Sequence, residues 1–439
     1  MLLYSTHITP RLQYIVGFIS KELFDDPIVI TTDRTAYLRQ EGPRLNYSTT
    51  EMEETGGADF FIGSYPLLFQ TGIRPEVIEC FELNYHKAFY ETTGDLPFDI
   101  FAASFYLISR YEEYLPHEKD EYGRYAHTQS LAFREGFLDM PLVNIWLQEF
   151  KKALLKKFPD LVFRYPAFKF IPTYDIDSAW SYRHKGWKRI LGALGRAALR
   201  GRWRELEERL AVLNGRRQDP FDAYEWLDSL HLYSRLRAYY FFLVAARQKG
   251  VDKNISPEKQ AMQELIRYHT AGYRVGVHPS WQSGDNEAVL KEEIEWMAAV
   301  TDQPVTRSRQ HYIRFTLPEI YRRLLRYGIE QDYSMGYGSI NGFRASVASS
   351  FHWYDLEKEE TTSLRIFPFC FMDANSFYEQ KYTSAQAMSE LMRYYHLIRK
   401  VNGLMVTIWH NSFLGTDPQF AGWREVYEVF LKEEVYWDA

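Results

Sequence analysis

The chain has 439 residues, enough for two or three average domains or for one barrel with a smaller companion. Its formal charge is −6 and its pI about 6.1, so no global basic field recruits nucleic acid. Two cysteines, Cys80 and Cys370, exclude a disulfide scaffold and a multi-cysteine zinc site, and 17% aromatic residues exclude a disordered chain.

The N-terminus has no basic region followed by an apolar run and a small-residue cleavage site. No stretch approaches the ~18 uninterrupted apolar residues of a membrane span, so a cytoplasmic location is expected. The first third of the chain mixes elements. A helix is predicted near 8–24, then strands at PIVITTD and FFIGS. Two amphipathic helices follow. FDIFAASFYLISRYEEYL spaces Phe98, Phe101, Phe105 and Ile108 as a helix does, and PLVNIWLQEFKKALLKKF repeats the pattern with Val143, Trp146, Phe150 and Leu154. Residues 1–165 are read as an accessory α+β or α/β domain to which the sequence assigns no chemistry.

From about 166 strands and helices alternate. FKFIPTYDID, AYYFFLVA, YRVGVH, VTRSRQHYI, IEQDYS, LRIFPF and LMVTIWH read as strands. Helical segments separate most of them. Ser256-Pro257 reads as a helix start, and TLPE at 316–319 as a capping box. About seven strand–helix units in residues 166–439 predict a parallel barrel or a doubly wound sheet. Residues 183–217 interrupt it with eleven Lys/Arg against three Glu. They read as a basic helical hairpin, either a solvated insertion or an arm for a membrane surface or an anionic glycan.

In parallel α/β folds chemistry gathers at the carboxyl ends of strands. Those ends carry Asp175 and Asp177, then His278, then Arg309-Gln310-His311-Tyr312, then Asp332, then His410. Strand periodicity points Asp175 and Asp177 to one face, where two carboxylates need a proton or a cation between them.

In this order the segments TYDID, HPSWQ, RQHY, DYS and TIWH resemble the five motifs of the polysaccharide deacetylase family, also called NodB-homology or carbohydrate esterase family 4. TYDID matches its D-x-D variant, the likeness spans roughly 60% of the chain, and it implies a distorted (β/α)7-type barrel over residues 166–439. The resemblance implies a divalent-metal hydrolase, with zinc foremost and cobalt, nickel or manganese as alternatives, that removes an acetyl group from a glycan or a sugar-linked intermediate. It implies that Asp175 is the general base, Asp177 and His278 are metal ligands, Arg309 holds Asp175 ionised, and Tyr312 gives a backbone N–H to the oxyanion. It makes His410 the general acid and Asp332 a residue that tunes a partner.

One position departs from the pattern. Gln282 stands where the family has a second histidine, and Gln is a poor zinc ligand. Either Gln282 or His311 completes the metal site, with His184 a more remote choice, or metal binding is weak or lost and the chain is a non-catalytic glycan binder. Trp281, Trp180, Trp353, Trp409 and Tyr337 neighbour the motifs and are candidate sugar-stacking rings. The Gly- and Ser-rich stretch 336–356 reads as a substrate-side loop, with Arg344 available for an anionic group. No G-x-S-x-G elbow or nucleotide-binding glycine loop is present.

Overall fold

The structure is a computed structural model that describes residues 1–245 and 247–435. Near the N-terminus, β1 (Leu2–Ser5), β2 (Val29–Thr31), β3 (Arg44–Ser48) and β4 (Phe60–Gly63) form a parallel sheet in the order β2-β1-β3-β4. The helix Pro10–Leu23 packs there. Thr9 caps it by accepting the N–H of Leu12, Pro10 occupies the first helical position, and Leu12, Ile15, Val16 and Ile19 are buried. A small hairpin, β5 (Phe81–Leu83) with β6 (His86–Ala88), follows. The first expected amphipathic helix, Ile100–Ile108, is buried on every side and capped by Asp99. The second, Leu142–Lys157, keeps one buried face.

The larger sheet has nine strands. They are β7 (Lys169–Ile176), β8 (Tyr239–Leu243), β9 (Arg274–His278), β10 (Arg307–Ser308), β11 (Gln331–Asp332), β12 (Phe351–Asp355), β13 (Glu360–Ile366), β14 (Phe371–Met372) and β15 (Leu404–His410). Their order is β12-β13-β11-β10-β9-β8-β7-β15-β14, and every pair except β12 with β13 is parallel. The parallel strands are apolar runs because helices cover them. Their register aligns the carboxyl ends: His410 lies opposite Asp175, and His278 opposite Leu243.

The fold is therefore mixed α/β with a mainly parallel sheet. The expected barrel is not closed by a ladder among the described residues. β12 and β14 stand at the ends, and the short stretch from β13 to β14 links the β11 end to β15 instead. There Phe367 N–H donates to the carbonyl of Asp332, Phe369 N–H to Met335, and Cys370 N–H to Val406. Other differences are local. VTRSRQHYI and IEQDYS yield only two-residue strands, and a 3-10 turn at His311–Ile313 follows the first. The helix after Ser256-Pro257 begins at Gln260, and the helix after TLPE begins at Glu319 without a side-chain cap. Thr316 instead accepts from Lys119 Nζ. The stretch 336–356 contains β12, so only its first part is a loop. The helix Tyr224–Ser234 has no counterpart in the sequence reading. The basic segment does form a hairpin, of helices Trp187–Leu199 and Trp203–Leu213.

The two sheets share one continuous apolar core. Buried ion pairs also cross between the regions. Arg11 pairs with Glu359, and Glu113 takes both Nε and Nη2 of Arg344 at 2.8 and 2.5 Å while also pairing with Arg110. These arginines hold the Glu113 carboxyl down at about 2, against the opposing effect of burial. No described helix is long and apolar enough to cross a membrane.

Candidate active site

A cavity of about 620 Å³ opens at the carboxyl edge of the large sheet. Its floor is built by β7 and its neighbours. Along β7 the side chains alternate, so Thr173 and Asp175 face Arg309 while Tyr174 points behind the sheet to His231 and Tyr427. Arg309 Nη1 donates to Asp175 Oδ1 at 2.8 Å and to Thr173 Oγ1 at 2.7 Å. Its Nε donates to the carbonyl of Tyr333, and its guanidinium lies 4.5 Å from the centre of the Phe241 ring. Asp175 and Arg309 are both almost wholly buried, so each neutralises the other where water cannot.

Asp177 is the hub. Its Oδ1 is 3.1 Å from His278 Nε2, and its Oδ2 is 3.4 Å from His311 Nε2 and 3.5 Å from His410 Nε2. Each imidazole turns Nε2 inward because its Nδ1 is held from behind. His278 Nδ1 lies 2.6 Å from the carbonyl of Arg309, His311 Nδ1 2.7 Å from Asp252 Oδ1, and His410 Nδ1 2.6 Å from Asp373 Oδ1. Asp252 is fixed in turn by the N–H of Trp281 and by Gln282 Nε2. Asp373 also accepts the backbone N–H of His410. Such outer carboxylates set ring orientation and raise ligand basicity.

The electrostatics follow from this packing. Burial opposes charge on His311, but Asp177 and Asp252 overcome it and lift the imidazole to about 9. Burial likewise opposes charge on His410, and Asp373 and Asp177 raise it to about 10. Burial pushes the Asp177 carboxyl up, yet His311 and His278 hold it well below the usual carboxylate range. Asp373 moves the other way, raised by burial despite His410.

The donor set fits a divalent metal. One ligand atom from each of Asp177, His278 and His311 lies within 4.8 Å of the others. Asp177 Oδ1 is buried and makes no well-formed hydrogen bond, as expected of an atom reserved for a cation. Two imidazoles with one carboxylate form a common catalytic zinc set that leaves a position open.

The structure thus brings together Asp175, Asp177, His278, Arg309, His311, Tyr312 and His410. It places other expected residues elsewhere. Gln282 is not in the ligand cluster, because its amide reaches back to the carbonyl of Arg247 and to Asp252. His184 packs against Trp180 instead. Asp332 ends β11 fully buried, accepting from Ser308, Ser334 and Tyr321, and does not line the cavity. Arg344 is committed to Glu113 and is not available to a substrate. None of the five expected stacking rings lines the cavity. Trp409 follows strand alternation away from His410 and packs on Tyr427. Trp180, Trp353 and Tyr337 are core residues, and Trp281 donates to the carbonyl of Tyr122 beneath the Arg314 guanidinium. The rings on the cavity wall are Tyr122, Tyr312, Tyr378 and Phe413.

Sequence reasoning missed Asp252 and Asp373, and it missed a whole wall. Glu121, Tyr122 and Arg124 line the cavity from the N-terminal region. The loop holding them is tied down by Asp120, whose Oδ1 accepts the N–H groups of Tyr122 and Arg124 and whose Oδ2 accepts Arg124 Nε. Arg124 Nη1 donates to the carbonyl of Tyr312, beside the metal set. Gly338 leaves room there, since a Cβ would crowd that guanidinium and sit 2.9 Å from the Tyr312 carbonyl oxygen.

Residues 1–159 match a family of unknown function, DUF7033. No curated protein matches the chain. Among solved structures, the polysaccharide deacetylase Bc1974 from Bacillus cereus is 12% identical, over 61% of this chain and 88% of that one, with a TM-score of 0.31. Puue allantoinase is 13% identical, over 61% and 85%, with a TM-score of 0.36. A mutant of BA3943, described as a CE4 family pseudoenzyme with restored enzymatic activity, is 10% identical, over 60% and 64%, with a TM-score of 0.26.

Proposed function

We propose that this chain is a metal-dependent hydrolase that removes an N- or O-acetyl group from a glycan or a sugar-linked intermediate. The observation that carries the reading is the convergence of Asp177, His278 and His311 in one cavity, with Asp175 and His410 beside them. The motif order from TYDID to TIWH supports it, and we read the open sheet as a distorted form of the barrel those motifs imply.

Asp177, His278 and His311 would hold the cation, and zinc suits them best. When bound, a divalent cation acidifies water and polarises an acyl carbonyl. Asp175 accepts the proton of the attacking water at Oδ2, because Oδ1 is engaged by Arg309. Arg309 fixes the orientation of that carboxylate through its Nη1 hydrogen bond to Oδ1. The Tyr312 backbone N–H stabilises the oxyanion, an effect worth about 3 kcal/mol. His410 gives its Nε2 proton to the leaving nitrogen or oxygen, and Asp373 keeps the ring oriented and charged. Tyr122, Tyr312, Tyr378 and Phe413 offer flat faces to the C–H side of a sugar.

A second reading, a glycan-binding protein without turnover, rested on Gln282. His311 beside Asp177 supports a three-residue ligand set despite Gln282. Metal content and acetate release decide between the two. The enzyme reading expects about one zinc or cobalt per chain and acetate release from acetylated oligosaccharides. Protein that takes up neither metal, and stays inert with both, refutes it.

A further inference from the structure

The helix Trp187–Leu199 opens the excursion that leaves the catalytic edge after Asp177. The excursion is rooted at that edge. Asp219 accepts the N–H groups of Ser181, Tyr182 and Arg183, and Thr416 N–H donates to the carbonyl of Pro220, close to cavity residues Ser412 and Phe413.

The hairpin is unusual in what it exposes. Its inner side is filled, with Ala197 and Val212 buried. Its outer side should be polar in a solvated insertion, but Leu191, Gly195, Ala198 and Leu199 are all exposed at helical spacing. Leu191 is 58% exposed, Leu199 89% and Trp203 66%. Basic residues flank this apolar strip. Arg196, Arg200 and Arg204 are exposed, with no acidic partner among the described residues. No acid occurs between Asp177 and Glu205. Further along, Glu205 is taken up by Arg202 and Arg209, and Glu208 by Arg217, so Glu207 is the acid left over.

We propose that the hairpin Trp187–Leu213 is a docking surface for an anionic lipid bilayer. Leu191, Leu199 and Trp203 enter the interface, and Arg196, Arg200 and Arg204 pair with lipid phosphates. An apolar face flanked by arginines fits a bilayer surface, where apolar side chains insert and cations meet headgroups. A soluble anionic glycan would use the arginines but leave the leucines and the tryptophan in water. Docking holds the cavity edge near the lipid surface. The proposal does not depend on the catalytic reading.

Co-sedimentation of the full chain with phosphatidylglycerol and with phosphatidylcholine vesicles tests it. Binding is expected to the first, weak or none to the second, and binding falls as salt is raised. Leu199→Glu and Trp203→Ala should each weaken binding about tenfold, as loss of one inserted apolar side chain implies. The double variant Arg196→Glu/Arg200→Glu should weaken it at least as much. Tyr85→Glu, on the exposed turn of the N-terminal hairpin, is the control and should bind like the parent. All these sites are exposed, and a melting curve confirms that each variant folds. Failure to bind phosphatidylglycerol vesicles overturns the proposal. So does equal binding by the hairpin variants. Retention on heparin that Leu199→Glu leaves unchanged, without vesicle binding, assigns the surface to a glycan. A dimer in gel filtration that Leu199→Glu dissociates, without vesicle binding, assigns it to a second copy of the chain.

Discussion

The two faces of the large sheet use the same residue types to opposite ends. At the cavity edge His311 and His410 each face carboxylates and are lifted to about 9 and about 10. Behind the sheet His231 and His269 sit among Tyr174, Tyr240 and Tyr273, and burial pushes both down to about 4. A buried imidazole is charged only where an anion repays its desolvation. The front histidines are arranged to carry a proton or a metal, and the rear ones to fill space as neutral rings. A single histidine in a sequence does not reveal which face it will join.

That contrast is open to attack by mutation. The largest effect is expected at the hub: Asp177→Ala should abolish tight metal binding and acetate release together, read by metal analysis and a coupled acetate assay. Asp175→Asn should cut turnover by about 10²–10⁴-fold while leaving metal content intact, which separates a base from a ligand. Asp252→Asn, which touches no substrate, should weaken metal binding by about 10–100-fold through His311. At the rear, His231→Phe should leave metal binding unchanged. It should instead alter acid stability. His231 and His269 titrate near 4 when folded and near 6.5 when unfolded, so the unfolded chain binds more protons between those values. Their contribution is complete above 6.5 and is lost as pH falls toward 4, and the variant should show a shallower loss in a melting series. The smallest effect is expected for Gln282→His, which should change metal affinity less than Asp252→Asn does, because position 282 faces Arg247 and Asp252.

Much of the cavity edge is legible in the sequence because strand ends are local. Asp175, Asp177, His278 and His410 each close an apolar run, and the period of two fixes their face. The same rule explains the errors. Trp409 precedes His410 on its strand and so points away, although nearness in sequence made it a candidate ligand surface. Asp373 follows the two-residue strand β14, beyond the run LRIFPF, so no period marks it, and the acid at the end of β11, Asp332, is buried among Ser308, Ser334 and Tyr321 instead. Asp252 sits in a connection with no periodic signal at all. The pairing of Arg124 with the carbonyl of Tyr312 spans 188 residues, and no local pattern encodes it.

The Asp120–Arg124 loop has a consequence for how such a chain changes over time. One wall of the cavity belongs to the segment before residue 165, and the ligands belong to the segment after it. A recombination that joined this second segment to a different partner would transfer the candidate ligands Asp177, His278 and His311 and lose the wall. A change in the first part can therefore reshape the cavity without touching Asp177, His278 or His311.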